Sequence, residues 1–413
     1  MKTAMGVTIS SASKTSDLAI NKRRADLDWL RVIAFWLLIY YHAAIAFLPD
    51  GIPMIQNVET SAVLQVMAGF LHEFRLALLF LISGIGVSFA LRRRSRTQFM
   101  RERAVRLLVP FIFGILIIVP PMIFLEKCFI GEFTGSFTNF YPAFFTNGVY
   151  PDGHLSWHHF WFIAYLSIYC VLGWPIFAYF KRAGGRTQLD HWSQRLSRGV
   201  FLYLAIVPLA AFEIPLRASF PGFPDLIHDW ANFSHWFLIF IIGFLLASSE
   251  PLLDHTQNLR RTSLALASFA TATMFLQFWS PEQGEFSPSV NGETETWIYV
   301  WFCVLRVSNA WLWLLTCLGY AGCYLQRSSR LLSYLNNAVY PLFCLHLTVI
   351  VAFEYVIVPL SWSVLAKYLV ITTGTIFVTL GSYEILWRRI DFLRPLVGLR
   401  RQRNDRFKSS SRL

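Results

Sequence analysis

DWLRVIAFWLLIYYHAAIAFL (Asp28–Leu48) is an apolar run broken only at its start and twice within, by Arg31 and His42. Its length is that of a helix crossing a bilayer, about 20 residues. Similar runs recur along the whole chain, at Phe70–Leu91, Leu107–Leu125, His158–Phe180, Gly199–Leu216, Phe233–Ala247, Thr262–Trp279, Trp297–Leu325, Leu332–Val358 and Trp362–Trp387. The reading is an all-α, polytopic integral membrane protein of about ten transmembrane helices. Composition agrees: 55% of the 413 residues are hydrophobic, only 15% are charged, and mean hydropathy is +0.48. Soluble domains carry about 25% charge. Asn336 and Pro341 in the ninth run predict a kinked or broken helix there.

Charge sets the orientation. Nearly all Lys and Arg fall before the first run, after the even-numbered runs and in the final segment, whereas the intervening loops hold two, Lys127 and Arg217. Those loops also carry Asp152, Asp225, Asp229, Glu282, Glu285, Glu293 and Glu295. This positive-inside pattern places both termini in the cytoplasm. It also accounts for the net charge of +12 without nucleic acid as a partner. Residues 1–25 read as a disordered cytoplasmic tail without the apolar core of a signal peptide, 26–390 as the membrane domain and 391–413 as a basic cytoplasmic tail. The long outer loop Glu126–Trp157 is expected to pack over the outer face. Six cysteines without a CxxC pair, and no HExxH or GxSxG, leave no metal site or familiar nucleophile to expect.

Ionisable groups inside spans are costly and often functional. Arg31 and His42 are eleven residues apart, three turns plus about 20°, so they share one helix face roughly 16 Å apart along the axis. The cation lies near the cytoplasmic end and the imidazole in the outer half. Against a catalytic role stand a snorkelling arginine and an interhelical hydrogen bond from the histidine. LHEFRLALLFLISG (Leu71–Gly84) puts His72, Glu73 and Arg75 at the outer level of His42; a Glu73–Arg75 pair would explain them structurally. RRRSRTQFMRERAVR (Arg92–Arg106) ends in Arg103 and Arg106, one face of a helix start suited to phosphate or to anionic lipid. His346, in AVYPLFCLHLTVI, lies mid-membrane and is either a core residue or a participant in the chemistry. His154, His158 and His159, in HLSWHHFWF, suit a glycan-facing or interfacial place.

Together these features resemble the acyltransferase 3 family of bacterial membrane O-acyltransferases. The family pattern of a basic residue, ten residues and a histidine in the first span is met by Arg31 and His42. The FF-x-x-SG-like segment is met by LLFLISG at Leu78–Gly84, and RxxR by Arg103 and Arg106 ahead of Pro110. The aromatic pair opening span four is met by Trp161 and Phe162, and the late Tyr-Pro and His by Tyr340, Pro341 and His346. HEFRLALLFLISG and HLSWHHFWF look closest to the glucans biosynthesis protein C branch, linked to succinylation of periplasmic glucans.

The resemblance implies a bacterial inner-membrane enzyme. It would move an acyl group, succinyl or acetyl, from cytoplasmic acyl-CoA as co-substrate to a hydroxyl of an extracytoplasmic glycan, with no bound cofactor. His42 would be the catalytic base, working with Arg31, or would carry the acyl group covalently. Arg103 and Arg106 would hold CoA phosphates, Arg75 an acyl carboxylate, and His346 or His72 the oxyanion or the acceptor. Partners are then acyl-CoA, the glycan and membrane lipids. A transporter or flippase for a lipid-linked glycan or an anion is the other class that intramembrane Arg and His suit.

Overall fold

The structure is a computed structural model describing residues 24–49, 55–220, 222, 224–282, 285–288 and 295–401. The N-terminal tail up to Arg23 and residues 402–413 lie outside the described residues. Helices dominate: α1 Ala25–Ile45, α2 Ala62–Arg92, α3 Arg96–Phe113, α4 Val119–Phe129, α5 Phe137–Thr146, α6 Trp161–Leu172, α7 Trp174–Lys181, α8 Ala183–Leu196, α9 Ile206–Arg217, α10 Trp230–Ser248, α11 Glu250–Phe278, α12 Thr296–Tyr324, α13 Arg330–Ile357 and α14 Val364–Ser382. A two-stranded antiparallel hairpin, Trp279–Ser280 with Glu285–Phe286, links α11 towards α12. Serine hydroxyls cap several starts; that of Ser329 accepts from the Leu332 N–H at 3.0 Å.

Among the described residues seven helices are long and apolar enough to cross a membrane, the third running Arg96–Phe129 through the π-helical turn Gly114–Ile118. Two bent pairs raise the count to nine: residues 158–172 with α7, bent by 45°, and α8 with residues 201–217, bent by 119°. Expected span seven forms the C-terminal part of α11, which Ser and Thr residues leave outside that set. The expected fourth span is therefore broken at Gly173, while the second bend falls at residues 197–200, at the very start of the expected fifth span. α13, by contrast, is one continuous 28-residue helix with Pro341 inside it, not a broken one.

α1 and α2 lie at the centre, with α13 against α1, α10 and α12 against α2, and α14 against α13. α2 and α10 approach closely, backbone to backbone. A Cβ added to Gly84 would overlap the Phe240 carbonyl, and one added to Gly243 would overlap the Leu81 carbonyl. That requirement gives the SG of LLFLISG a physical reason: only glycine lets the backbones meet. The outer loop folds as the amphipathic α5, whose Phe140 and Phe144 are fully buried, with Phe140 against Phe124 and Phe133.

The segment after α14 is ordered up to Arg401. Its 3-10 turn Arg394–Val397 packs on α3, and Gly398, at φ +73°, lies against the ring of Tyr340.

Candidate functional site

Two polar regions sit one above the other along α1. At the basic end a cavity of about 1210 Å³ opens between α1, α2, α3, α6, α13 and the C-terminal segment. Arg31, Arg103 and Arg106 all line it. Arg31 is held by Asn336 of α13, donating to its Oδ1 at 3.1 Å, while Asn336 donates to Asp28 at 2.9 Å. Among the described residues Arg103 and Arg106 have no carboxylate within ion-pair distance. Their guanidinium groups face the rings of Phe99 and Tyr340, at 5.3 and 6.0 Å. The Tyr340 hydroxyl donates to the Arg106 carbonyl at 2.9 Å, so the Tyr-Pro motif braces the RxxR motif. Such arginines are ready for an external anion, which they can meet with charge-assisted hydrogen bonds. The apolar part of the lining includes Leu79, Ile82 and Phe162, together with Phe35 and Phe343.

Beyond those two rings lies the histidine layer. Phe35 and Phe343 pack on the ring of His346, centroids 5.8 and 5.7 Å away. His346 is fully buried; its Nε2 is 3.0 Å from Nδ1 of His42, and its Nδ1 is 2.7 Å from the Phe343 carbonyl. The two histidines come from α1 and α13, 304 residues apart in the chain. His159 meets His346 edge-on at 5.1 Å and donates from Nε2 to the Cys344 carbonyl at 3.0 Å. Nothing in HLSWHHFWF marks His159 over His158. It was invisible as a neighbour of Cys344 and His346 because its hydrogen bond to Cys344 spans 185 residues in sequence.

His72 and Arg75 join this layer through Tyr41, the residue before His42. The Tyr41 hydroxyl is 3.3 Å from His72 Nδ1, and the Arg75 guanidinium carbon lies 3.2 Å above the Tyr41 ring. Arg75 is 3% exposed, and its Nε and Nη1 have no hydrogen-bond partner. The expected alternative, a Glu73–Arg75 pair, does not form. Glu73 faces Arg306 of α12 at 3.7 Å, in a buried network where Arg306 and Arg217 both reach Glu213, at 2.5 and 2.8 Å. Residues 73 and 75 point to different helices because two steps along a helix turn a side chain by about 200°.

His154 stays apart from this layer, its ring tilted against that of Phe140 and 3.2 Å from Asn147. His158 packs beside Tyr150. Both are buried.

A family model described as an acyltransferase domain, of the acyltransferase 3 type, matches residues 24–384. The chain belongs to the acyltransferase 3 family. The match runs from the start of α1 to the end of α14, so it takes in both polar regions. Neither a curated protein nor a solved structure matches the chain. Family and fold together make it a multi-pass, all-α membrane acyltransferase.

Proposed function

We propose that this acyltransferase takes an acyl group, succinyl or acetyl, from cytoplasmic acyl-CoA and places it on a hydroxyl of an extracytoplasmic glycan such as a periplasmic glucan. The observation that carries the reading is the stacking of the two polar regions. An arginine-lined cavity at the basic end leads to a pair of phenylalanines, with a hydrogen-bonded histidine pair just beyond them. The positive-inside rule assigns the basic end to the cytoplasm, both termini included, and the inner membrane of a bacterium is the matching location.

In this reading Arg103 and Arg106 take CoA phosphates, Arg31 holds the mouth of the passage, and the pantetheine arm passes Phe35 and Phe343. His42 removes the proton of the sugar hydroxyl as its oxygen attacks the thioester carbonyl. The tetrahedral adduct collapses with cleavage of the C–S bond, and the thiolate takes the proton back from His42. The Arg75 guanidinium, with two free N–H groups beside Tyr41, suits the distal carboxylate of a succinyl donor. His72, hydrogen-bonded to Tyr41, stands on the acceptor side of His42.

The test is mass spectrometry of periplasmic and surface glycans from cells with and without the protein. Loss of an acetyl or succinyl mass increment is expected. Unchanged acylation together with altered glycan export would sink the acyltransfer assignment and favour transport.

A further inference from the structure

Two hydrogen bonds fix where the protons of the histidine pair sit. A carbonyl oxygen only accepts, so His346 Nδ1, 2.7 Å from the Phe343 carbonyl, carries a proton. A neutral His346 then has its lone pair on Nε2, and His42 Nδ1, 3.0 Å away, must donate to it. The lone pair of His42 is thereby placed on Nε2, the nitrogen left for substrate. A protonated His346 would reverse this. It would donate from Nε2, make His42 Nδ1 the acceptor and put a proton on His42 Nε2, where a base needs a lone pair.

We propose that His346 is a positioning residue that holds His42 in the Nδ1–H tautomer through the chain Phe343 carbonyl, His346, His42. This inference rests on the reading of His42 as general base. It gives His346 a role other than oxyanion donor, since its one N–H is already committed to Phe343.

The surroundings suit that task. The His346 ring is walled by Phe35, Phe343 and the edge of His159, and the Nε2 proton of His159 goes to Cys344 rather than to His346. The other titratable or charged groups around the pair are Tyr41 and Arg75 on the α1–α2 side and His158 beside His159. In serine-hydrolase triads a buried carboxylate orients the base. A carboxylate in this packed layer would be a buried anion, costly by several kcal/mol. A neutral imidazole tied to a backbone carbonyl orients His42 without burying a charge.

The experiment uses the full chain purified in detergent or nanodiscs, with acyl-CoA and a glucan acceptor, and ¹⁵N-histidine spectra of the same samples. In the wild type the His42 Nε2 resonance should be that of an unprotonated ring nitrogen. His346→Ala should lower kcat by roughly 10²-fold or more, the scale of a mis-set tautomer, with KM for acyl-CoA unchanged. His346→Gln places an amide oxygen where Nε2 stood and should recover most of that loss while keeping the His42 tautomer. A protonated His42 Nε2 in the wild type would overturn the proposal. So would equal losses in the Ala and Gln variants, or an unchanged tautomer in folded His346→Ala. Full acylation by His42→Ala would instead strike the general-base reading, and the tautomer spectrum would still judge the pairing.

Discussion

The two polar regions along α1 solve one problem in opposite ways. The basic-end cavity is open and crowded with cations: Arg24, Arg31, Arg92, Arg93, Arg94, Arg103 and Arg106 all line it. Charges there keep contact with water, so their like-sign neighbours are tolerable. The histidine layer is closed. His346, His158 and His159 are buried, and the layer's hydrogen bonds join His42 to His346 and Tyr41 to His72, and run from His346 and His159 to backbone carbonyls. Arg75 is the exception, a buried cation resting on an aromatic ring with donors to spare. The contrast is one of solvation. In the proposed reading the open region takes the anionic donor, while the closed one, Arg75 aside, holds uncharged groups in fixed geometry.

The hardest blow to this comparison would come from His42. His42→Ala should reduce transfer by about 10²–10⁴-fold, the usual loss on removing a positioned base, while the protein still folds. Near-wild-type glycan acylation in that variant would place the chemistry elsewhere. Arg75→Gln probes the exception. It should lower succinyl transfer by roughly 10²-fold, because a buried carboxylate left without its partner loses about 2–3 kcal/mol, and lower acetyl transfer far less. Equal losses with both donors would make Arg75 a purely structural residue.

In the open region the effects should be milder. Arg103→Lys or Arg106→Lys keeps the charge but loses the planar fork, so the acyl-CoA requirement should rise about tenfold, equivalent to ~1.4 kcal/mol, with kcat preserved. Donor titrations with both variants unchanged would reduce the motif to topology. Gly84→Ala touches neither region and should spare the turnover of folded enzyme. It should instead cut stability by about 1–3 kcal/mol, seen as a lower unfolding midpoint in detergent, because the new methyl meets the α10 backbone.

How much of this was legible beforehand follows the range of the interactions. Membrane helices are local objects, written in runs of apolar residues, and Asp28–Leu48 announced α1 almost in full. Arg103 and Arg106 share a cavity with Arg31 because each sits at the basic end of its own helix, which charge bias already displays. The partners of Glu73 and His346 were not legible. Both are chosen by helix packing across hundreds of residues, and neither Arg306 nor His159 carries a local mark of its contact. The break in the expected fourth span and the sharp bend at the start of the fifth were equally hidden, although Gly173 stands at the first of them.

The ring pair shared by the cavity and the histidine layer has an electrical consequence in the proposed orientation. Water filling a cavity of about 1210 Å³ would carry the potential of its own compartment into the protein. The membrane voltage would then fall across the packed layer beyond Phe35 and Phe343 instead of across the whole bilayer. An elementary charge crossing that layer exchanges about 2.3 kcal/mol with a 100 mV potential. On the proposed reading Phe35 and Phe343 are insulation as well as a passage wall. Trimming either ring to alanine should then open a route for ion leakage, and the conductance of reconstituted vesicles measures how well this part of the wall is sealed.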